Sequence, residues 1–294
     1  MKSNIPYYIA LHIIIFIWGF TGIVGKLIQL DPLHIVWYRL LFASVGLLIG
    51  LKLLRLPLKI SNRKSLIKTL FTGLIVALHW FTFYQSIALS TASLGILCLS
   101  TVTLHVTWIE PLFFKTKFSW KEFGMGLLMI VGIYIVTNDF DAKEYLALTY
   151  GLISAMLAAI FSVSNAHLSK TEAASALTIH EMFVGFLLLS GVLLYNGEFD
   201  ETLFQMTTSD LLWLLFLGII CTSVAFLITI EVVKKLGTFT VSLSINLEPI
   251  YTILLAIVLL HEHTLLSKEF YIGATIIVLV VLGNTVLNRP KKKQ

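Results

Sequence analysis

Long apolar runs dominate the chain, and short segments that carry charges, Pro or Gly separate them. The runs approach the roughly 20 residues that a helix needs to cross the hydrocarbon core of a bilayer. The pattern predicts ten membrane spans, at 7–26, 34–54, 66–89, 94–114, 120–137, 145–168, 175–195, 209–230, 238–260 and 270–288. Spans three and four meet near Ser90–Ser93 without a charge between them, but Phe71 to Lys115 is too long for a single crossing.

Composition excludes an ordinary water-soluble enzyme. Hydrophobic residues make up 57% of the 294 residues and charged residues only 13%, with a mean hydropathy of +0.91. Soluble domains carry about 25% charged residues. Ten spans of roughly 20 residues leave about 94 residues for all loops and tails, which is too few for a separate extramembrane domain. We therefore expect an all-α integral membrane protein.

The basic residues sort strongly between the two sides of the predicted membrane. If the N-terminus is cytoplasmic, seventeen of the 21 Lys and Arg residues fall on the cytoplasmic side. The positive-inside rule then predicts that both termini are cytoplasmic, in a multi-pass protein of the cell (inner) membrane. The net charge of +5 follows from this topology, so we expect no nucleic-acid partner.

The two halves of the chain resemble each other. The stretch Lys121–Gly126 (KEFGMG) recurs as Lys268–Gly273 (KEFYIG), and the same offset of 147 superposes spans three to five on spans eight to ten. Because five is an odd number, the second copy has to be inserted upside down. Six basic residues lie between spans two and three, whereas four acids and no base lie between spans seven and eight. We therefore predict two inverted five-helix repeats, 1–142 and 143–294, an arrangement typical of transporters.

Glu248 is the sharpest candidate for chemistry inside the membrane. An ionisable side chain in lipid costs about 2.5–3.5 kcal/mol on insertion scales, so it needs a partner or a function. Pro249 removes the helix hydrogen bond to residue 245 and frees a carbonyl near the Glu248 carboxylate. We expect Glu248 to bind substrate or a proton; the alternative is a structural glutamate at a helix kink. Asn246 lies roughly 200° away around a regular helix, so only one of the two faces a cavity unless the helix is distorted.

Two further acids fall inside predicted spans. Glu181 lies about six residues into span seven and is a second candidate for proton coupling. The alternative for Glu181 is an interfacial pair with His180. Glu110 lies near the end of span four, where the long side chain of Lys115 can extend to meet it.

Polar and aromatic residues of spans three and four indicate a ligand cavity. Thr101, His105 and Trp108 repeat at i, i+4 and i+7, which places them on one face of a helix. Histidines can relay protons near neutral pH, and aromatic rings can hold apolar or cationic parts of a metabolite. The alternative is polar contact between packed helices, worth about 0.6 kcal/mol each. The candidate substrate-binding residues are His79, Trp80, Tyr84, Thr101, His105, Trp108, Asn165, Asn246, Glu248 and Tyr251.

Short motifs distributed along the chain match a known group of membrane proteins. They are Trp18–Gly19, Pro32, Arg39, Ala88–Leu89, Gly126, Gly132, Leu247–Ile250 and Glu262. With these residues the chain resembles the drug/metabolite transporter superfamily, in its EamA-type branch of ten-helix proteins. The resemblance implies two five-helix repeats, a central substrate cavity and carriage of small metabolites, often amino-acid export. The sequence departs from the pattern at Lys115, where a loop glutamate is usual, and at Leu279, which replaces a glycine.

Together these features predict a secondary active transporter, an exporter of small polar metabolites such as amino acids. It would work by alternating access around a central midplane cavity, as a monomer or homodimer in contact with membrane lipid. We expect no enzyme activity and no cofactor, because nucleotide-binding and hydrolase motifs are absent from the sequence. We also expect no metal: Cys98 and Cys221 lie in apolar runs, and His261 and His263 do not share a face. The alternative is a membrane-embedded enzyme or a non-transporting scaffold on the same ten-helix frame.

Overall fold

A computed structural model describes residues 4–115, 117–138 and 140–287 of the protein, and no β-strand occurs among them. Two short 3₁₀ turns, Glu201–Phe204 and Glu262–Thr264, lie in the connections. The helices are α1 Ile5–Leu27, α2 Pro32–Leu53, α3 Arg63–Leu89, α4 Ala92–Leu99, α5 Val102–Phe114, α6 Trp120–Val136, α7 Ala142–Leu168, α8 Ala174–Asn196, α9 Thr208–Leu215, α10 Ala225–Leu236, α11 Thr238–Ile245, α12 Glu248–Leu259 and α13 Lys268–Leu287.

Seven helical segments of the described chain are long and apolar enough to cross a membrane. They are α1, α2, α3, α7 and α8, together with the composite segments Ala92–Phe114 and Thr208–Leu236. These seven coincide with predicted spans one to four and six to eight. The other three predicted spans contain α6, the pair α11 and α12, and α13. The all-α membrane class is confirmed at this level.

Three of the predicted continuous spans are interrupted, which the apolar pattern did not show. Ser100 and Thr101 separate α4 from α5, and Asn246 and Leu247 separate α11 from α12. Proline explains the second interruption, because Pro249 has no N–H to continue α11 and fits the first turn of a new helix. The third is milder, since Phe216–Val224 forms a π-helical segment that joins α9 to α10 without a gap.

Glycines bring several helix backbones into close contact. A Cβ atom on Gly273 of α13 would lie 2.4 Å from the carbonyl oxygen of Gly132 on α6. A Cβ atom on Gly73 of α3 would lie 2.7 Å from the carbonyl oxygen of Glu181 on α8. Small residues at such crossings are typical of helices that pack inside membranes. The largest apolar core lies among α1, α2, α3, α8 and the π-helical segment.

Buried or loop carboxylates join elements that are far apart in sequence. Glu172, in the loop before α8, accepts hydrogen bonds from the backbone N–H and the hydroxyl of Ser61, and these bonds lower the pKa of Glu172. Asp210, in the first turn of α9, accepts a hydrogen bond of 2.8 Å from the backbone N–H of Gln29. Both contacts connect the N-terminal half of the chain to the C-terminal half.

Glu262 makes the most extensive of these contacts. Its two carboxylate oxygens accept hydrogen bonds from the backbone N–H groups of Ala92 (2.8 Å) and Ser93 (3.0 Å). These N–H groups lie at the start of α4, where an α-helix has no internal acceptors and its dipole attracts negative charge. Glu262 is only 2% exposed. A carboxylate from the last connection of the chain therefore fixes the position of α4.

Candidate functional site

A cavity of about 320 Å³ lies inside the helical assembly. Its walls come from α1, α2, α3, α4, α7, α8, the π-helical segment, α10 and α12, so both halves of the chain contribute. The polar side chains that line it are Thr21, Arg39, His79, Thr178, Glu181, Thr222 and Glu248. Its aromatic side chains are Trp18, Trp80, Phe83, Phe161 and Phe226.

A second hollow of about 380 Å³ lies between α2 and α8. Apolar side chains such as Leu41, Val45 and Phe183 line it, and its polar residues are Ser44 and His180. Such walls match lipid chains better than a polar metabolite. The smaller cavity is therefore the better candidate site, because it combines aromatic surface with a few convergent polar groups.

Arg39 is the cation of the cavity and is only 6% exposed. Its Nε donates a hydrogen bond of 3.1 Å to the Thr222 hydroxyl, and Nη1 donates one of 3.1 Å to the Tyr84 hydroxyl. The guanidinium carbon lies 3.6 Å from the centroid of the Trp80 ring, a cation–π contact. Within the described chain, no carboxylate lies within 4 Å of its nitrogens. A full positive charge is therefore held in the interior by neutral groups.

Glu181 lies on α8 and is completely buried. Its Oε2 accepts a hydrogen bond of 3.2 Å from the Asn165 amide on α7, whereas its Oε1 has no partner among the described residues. Buried polar atoms are nearly always hydrogen-bonded, so the exception marks a place where a ligand or water can act. The described residues show no hydrogen bond or ion pair between Glu181 and His180: the His180 ring contacts the Ala176 carbonyl and lines the other hollow.

Glu248 is the first residue of α12 and lines the cavity, half-buried. The interruption between α11 and α12 turns the chain at this point. Because the helix is distorted there, the simple 200° rule for Asn246 and Glu248 does not apply. The cavity wall includes Glu248 and does not include Asn246, among the side chains that the structure describes.

His79 of α3 is fixed against α7. Its Nδ1 lies 2.8 Å from the Ser154 hydroxyl and 3.0 Å from the Ser154 carbonyl oxygen. The Ser154 hydroxyl itself donates to the His79 carbonyl. Since a carbonyl oxygen only accepts, we assign the proton of the neutral ring to Nδ1, which leaves Nε2 as the acceptor.

The structure brings together only part of the predicted set. His79, Trp80, Glu181 and Glu248 line the cavity, while Tyr84 and Asn165 contact the cavity residues Arg39 and Glu181. The predicted residues that lie outside the cavity wall are Thr101, His105, Trp108, Asn246 and Tyr251.

Two of the predicted residues outside the cavity wall, Trp108 and Tyr251, have other surroundings. Trp108 is 40% exposed and makes an edge contact with the His105 ring, at 6.2 Å between centroids. The Tyr251 hydroxyl lies 3.4 Å from His12 Nδ1, in an outer hollow beside Phe16. Neither side chain lines the central cavity.

Arg39 is a functional candidate that is absent from the set of site residues predicted from the sequence. The sequence patterns include it only as a motif residue of span two. The available signal was its position, because any ionisable side chain inside a span is a candidate for function. Thr222 and Thr21 carry no comparable signal, since hydroxyl residues are common between membrane helices.

Comparison with known proteins places the chain in a family. The model of the EamA-like transporter family matches residues 5–138 and again residues 145–286. The chain belongs to this family. Members are transporters and not enzymes, so the protein is a multi-pass membrane transporter with a small-molecule substrate. This assignment removes the alternative of a membrane-embedded enzyme.

Individual relatives agree with the family. The chain is 26% identical to the uncharacterized transporter YojE of Bacillus subtilis (strain 168) over 268 residues, which cover 86% of this chain and 85% of YojE. It is 24% identical to the uncharacterized transporter YdfC of the same organism over 283 residues, covering 90% and 87%. One solved crystal structure superposes on 99% of this chain and 100% of its own with a TM-score of 0.67, at 14% identity, and supports the fold alone.

Proposed function

We propose that the protein is a secondary active transporter that exports small polar metabolites, such as amino acids, by alternating access. One observation carries the proposal: an interior cavity that contains Arg39, Glu181 and Glu248, contributed by both family-matched halves. Ionisable side chains at membrane depth mark substrate and ion pathways. A gradient of protons or substrate would supply the energy, because the sequence has no nucleotide-binding motif.

For the architecture we propose ten membrane crossings in two inverted repeats, 1–142 and 143–294, with both termini in the cytoplasm of the cell (inner) membrane. The interruptions at Ser100–Thr101 and Asn246–Leu247 support it, because they fall at corresponding places in the two halves. Discontinuous helices at the repeat interface are a recurring feature of such transporters. The asymmetric distribution of basic residues supports the orientation.

Within the cavity, we propose that His79, Trp80, Glu181 and Glu248 contact the substrate. Glu248 and Glu181 are the candidates for proton coupling, since both carboxylates line the cavity and ionisable groups at membrane depth mark ion pathways. Tyr84 and Asn165 would hold Arg39 and Glu181 in position. For Thr101, His105, Trp108, Asn246 and Tyr251, we propose substrate contacts only in another conformation of the transport cycle.

The experiment is transport by purified protein in liposomes. Vesicles loaded with one amino acid at a time would be assayed for uptake of the same radiolabelled amino acid, with and without an imposed pH gradient. We expect saturable exchange of at least one compound and a response to the gradient. Protein-free liposomes give the background. If no amino acid or related metabolite exchanged above that background, the non-transporting scaffold would replace this proposal.

A further inference from the structure

Among the residues that the structure describes, no acid forms an ion pair with Arg39. Glu181 and Glu248 line the same walls, yet neither carboxylate comes within 4 Å of the guanidinium nitrogens. Glu181 is held by Asn165 instead. Burying an isolated charge costs far more than burying a paired one, and buried arginines are therefore usually paired with acids. The arrangement is one in which a bound group can complete the pair.

The surroundings of Arg39 also fix its orientation. The Thr222 hydroxyl, the Tyr84 hydroxyl and the Trp80 ring come from two different elements, and they leave the guanidinium at the cavity wall. Guanidinium groups bind carboxylates in a planar, bidentate geometry and stack well on aromatic rings. A side chain held in this way loses little additional freedom when an anion binds.

We infer that Arg39 binds an anionic group of the transported compound, so the substrate carries a carboxylate. This inference rests on the proposed transport function and names the chemical class that the site recognises. At about 30 Å³ per water molecule, a cavity of about 320 Å³ holds roughly ten waters. It therefore fits a metabolite of roughly ten non-hydrogen atoms.

The rest of the wall defines the second end of the substrate. The Oε1 atom of Glu181 is buried without a partner among the described residues, and Glu248 lines the same cavity. These oxygens can accept hydrogen bonds from an ammonium or hydroxyl group while Arg39 holds the carboxylate. The class is thus a small carboxylate with a polar donor at its other end.

The test compares each acid with its primary amide, which has nearly the same size and shape but no charge on that group. Purified protein in nanodiscs would be heated with serine or serinamide, leucine or leucinamide, phenylalanine or phenylalaninamide, and butyrate or butyramide. A ligand that binds the folded state raises the unfolding temperature by mass action. We expect at least one acid to bind at least tenfold more tightly than its amide. Equal binding of acids and amides, or binding by no acid, would overturn the inference.

Variants separate recognition from a merely structural role. In Arg39→Gln the preference for the acid should disappear, whereas Arg39→Lys should retain a preference with weaker binding. Arg63→Gln is the matched control, because Arg63 is an exposed arginine at the start of α3, and its acid preference should be unchanged. A preference that survives Arg39→Gln contradicts the inference. If Arg39→Gln does not fold, the comparison of acids with amides on the unmodified protein still tests whether the site recognises a carboxylate.

Flux measurements distinguish this inference from the proposed function. If acids bind through Arg39 but no compound crosses liposome membranes, the transport proposal fails and the recognition inference stands. If acids and amides are transported equally well, the protein is a transporter and the inference about Arg39 is wrong.

Discussion

Two of the interrupted spans, α4–α5 and α11–α12, have similar backbones and different chemistry. Between α4 and α5, the Thr101 hydroxyl is buried and donates a hydrogen bond of 2.7 Å to the Cys98 carbonyl, so the interruption satisfies itself. Between α11 and α12, the interruption brings the carboxylate of Glu248 to the central cavity. Similar geometry therefore serves packing in one half and the candidate site in the other.

The same contrast occurs where these segments end. The backbone is left-handed at Lys115, just after α5, and at His261, just after α12, with φ of 54° in both places. After the second turn comes Glu262, which binds the start of α4. Two turns of similar backbone conformation therefore carry different side chains, and the second is followed by an acid with a structural contact of its own.

We expect the largest difference in stability between alanine substitutions at Gly273 and Gly126, which lie 147 residues apart in the sequence. Gly273→Ala places a methyl group against the backbone oxygen of Gly132, which cannot move without shifting α6. We expect about 1–3 kcal/mol of destabilisation from this overpacking. The three atoms nearest to a methyl group on Gly126 all belong to the Leu104 side chain. Its Cδ1 atom, at 2.3 Å, can move away by a rotamer change, and its Cβ atom, at 3.1 Å, needs only a small shift, so Gly126→Ala should cost less than about 1 kcal/mol. Unfolding in nanodiscs measures both; equal losses would show that the two crossings are equivalent.

Glu262→Ala tests the contact between the last connection and α4. The substitution leaves the N–H groups of Ala92 and Ser93 without their acceptor, at a cost of about 1–3 kcal/mol. Glu201→Ala is the control, because it removes a carboxylate from an exposed loop and should change stability by less than about 0.5 kcal/mol. Thermal unfolding of the two variants side by side gives the answer. A Glu262→Ala protein as stable as the control would mean that α4 is positioned by packing alone.

Thr101→Val should have a smaller effect. Valine keeps the shape of threonine and removes the hydrogen bond to the Cys98 carbonyl, so we expect a loss of about 0.5–1.5 kcal/mol. Because 1.4 kcal/mol corresponds to a tenfold change, losing a substrate contact of this size in another conformation should lower exchange in liposomes by about two- to tenfold. Unchanged exchange would mean that the first interruption serves packing alone.

The smallest effect is expected at the left-handed turns, where the halves agree. Lys115→Gly and His261→Gly each relieve a strained backbone at φ of 54° but add flexibility to the unfolded chain. The relief of strain slightly exceeds the cost of a more flexible unfolded chain, so we expect each variant to gain about 0.5 kcal/mol in free energy of unfolding. Equal shifts in unfolding temperature would support equivalent turns. A loss at His261 alone would show that its side chain helps to place Glu262.

Sequence reasoning located the helices well because membrane spans need long apolar runs whatever they pack against. It located the cavity only in part. The face shared by Thr101, His105 and Trp108 is a property of one helix, but the neighbour that the face meets depends on the whole assembly. Arg39 is a functional candidate because of its contacts with Trp80, Tyr84 and Thr222. The first two of these residues lie on α3 and the third in the π-helical segment, and no local sequence pattern connects them to Arg39. Pro249 is a sequence signal for the interruption between α11 and α12, whereas no proline adjoins the interruption at Ser100 and Thr101.

The most direct test uses the dipeptide Glu-Pro, which occurs in both interrupted segments. Glu248 lines the cavity, whereas Glu110 lies on the exposed surface of α5. A hydrogen bond to a charged group is worth about 1.5–3 kcal/mol, so its loss weakens binding about tenfold or more. In the liposome exchange assay, we expect Glu248→Gln to lose at least about tenfold in rate and its response to pH, while Glu110→Gln keeps both. Normal, pH-dependent exchange by Glu248→Gln would contradict a site built around the second interruption.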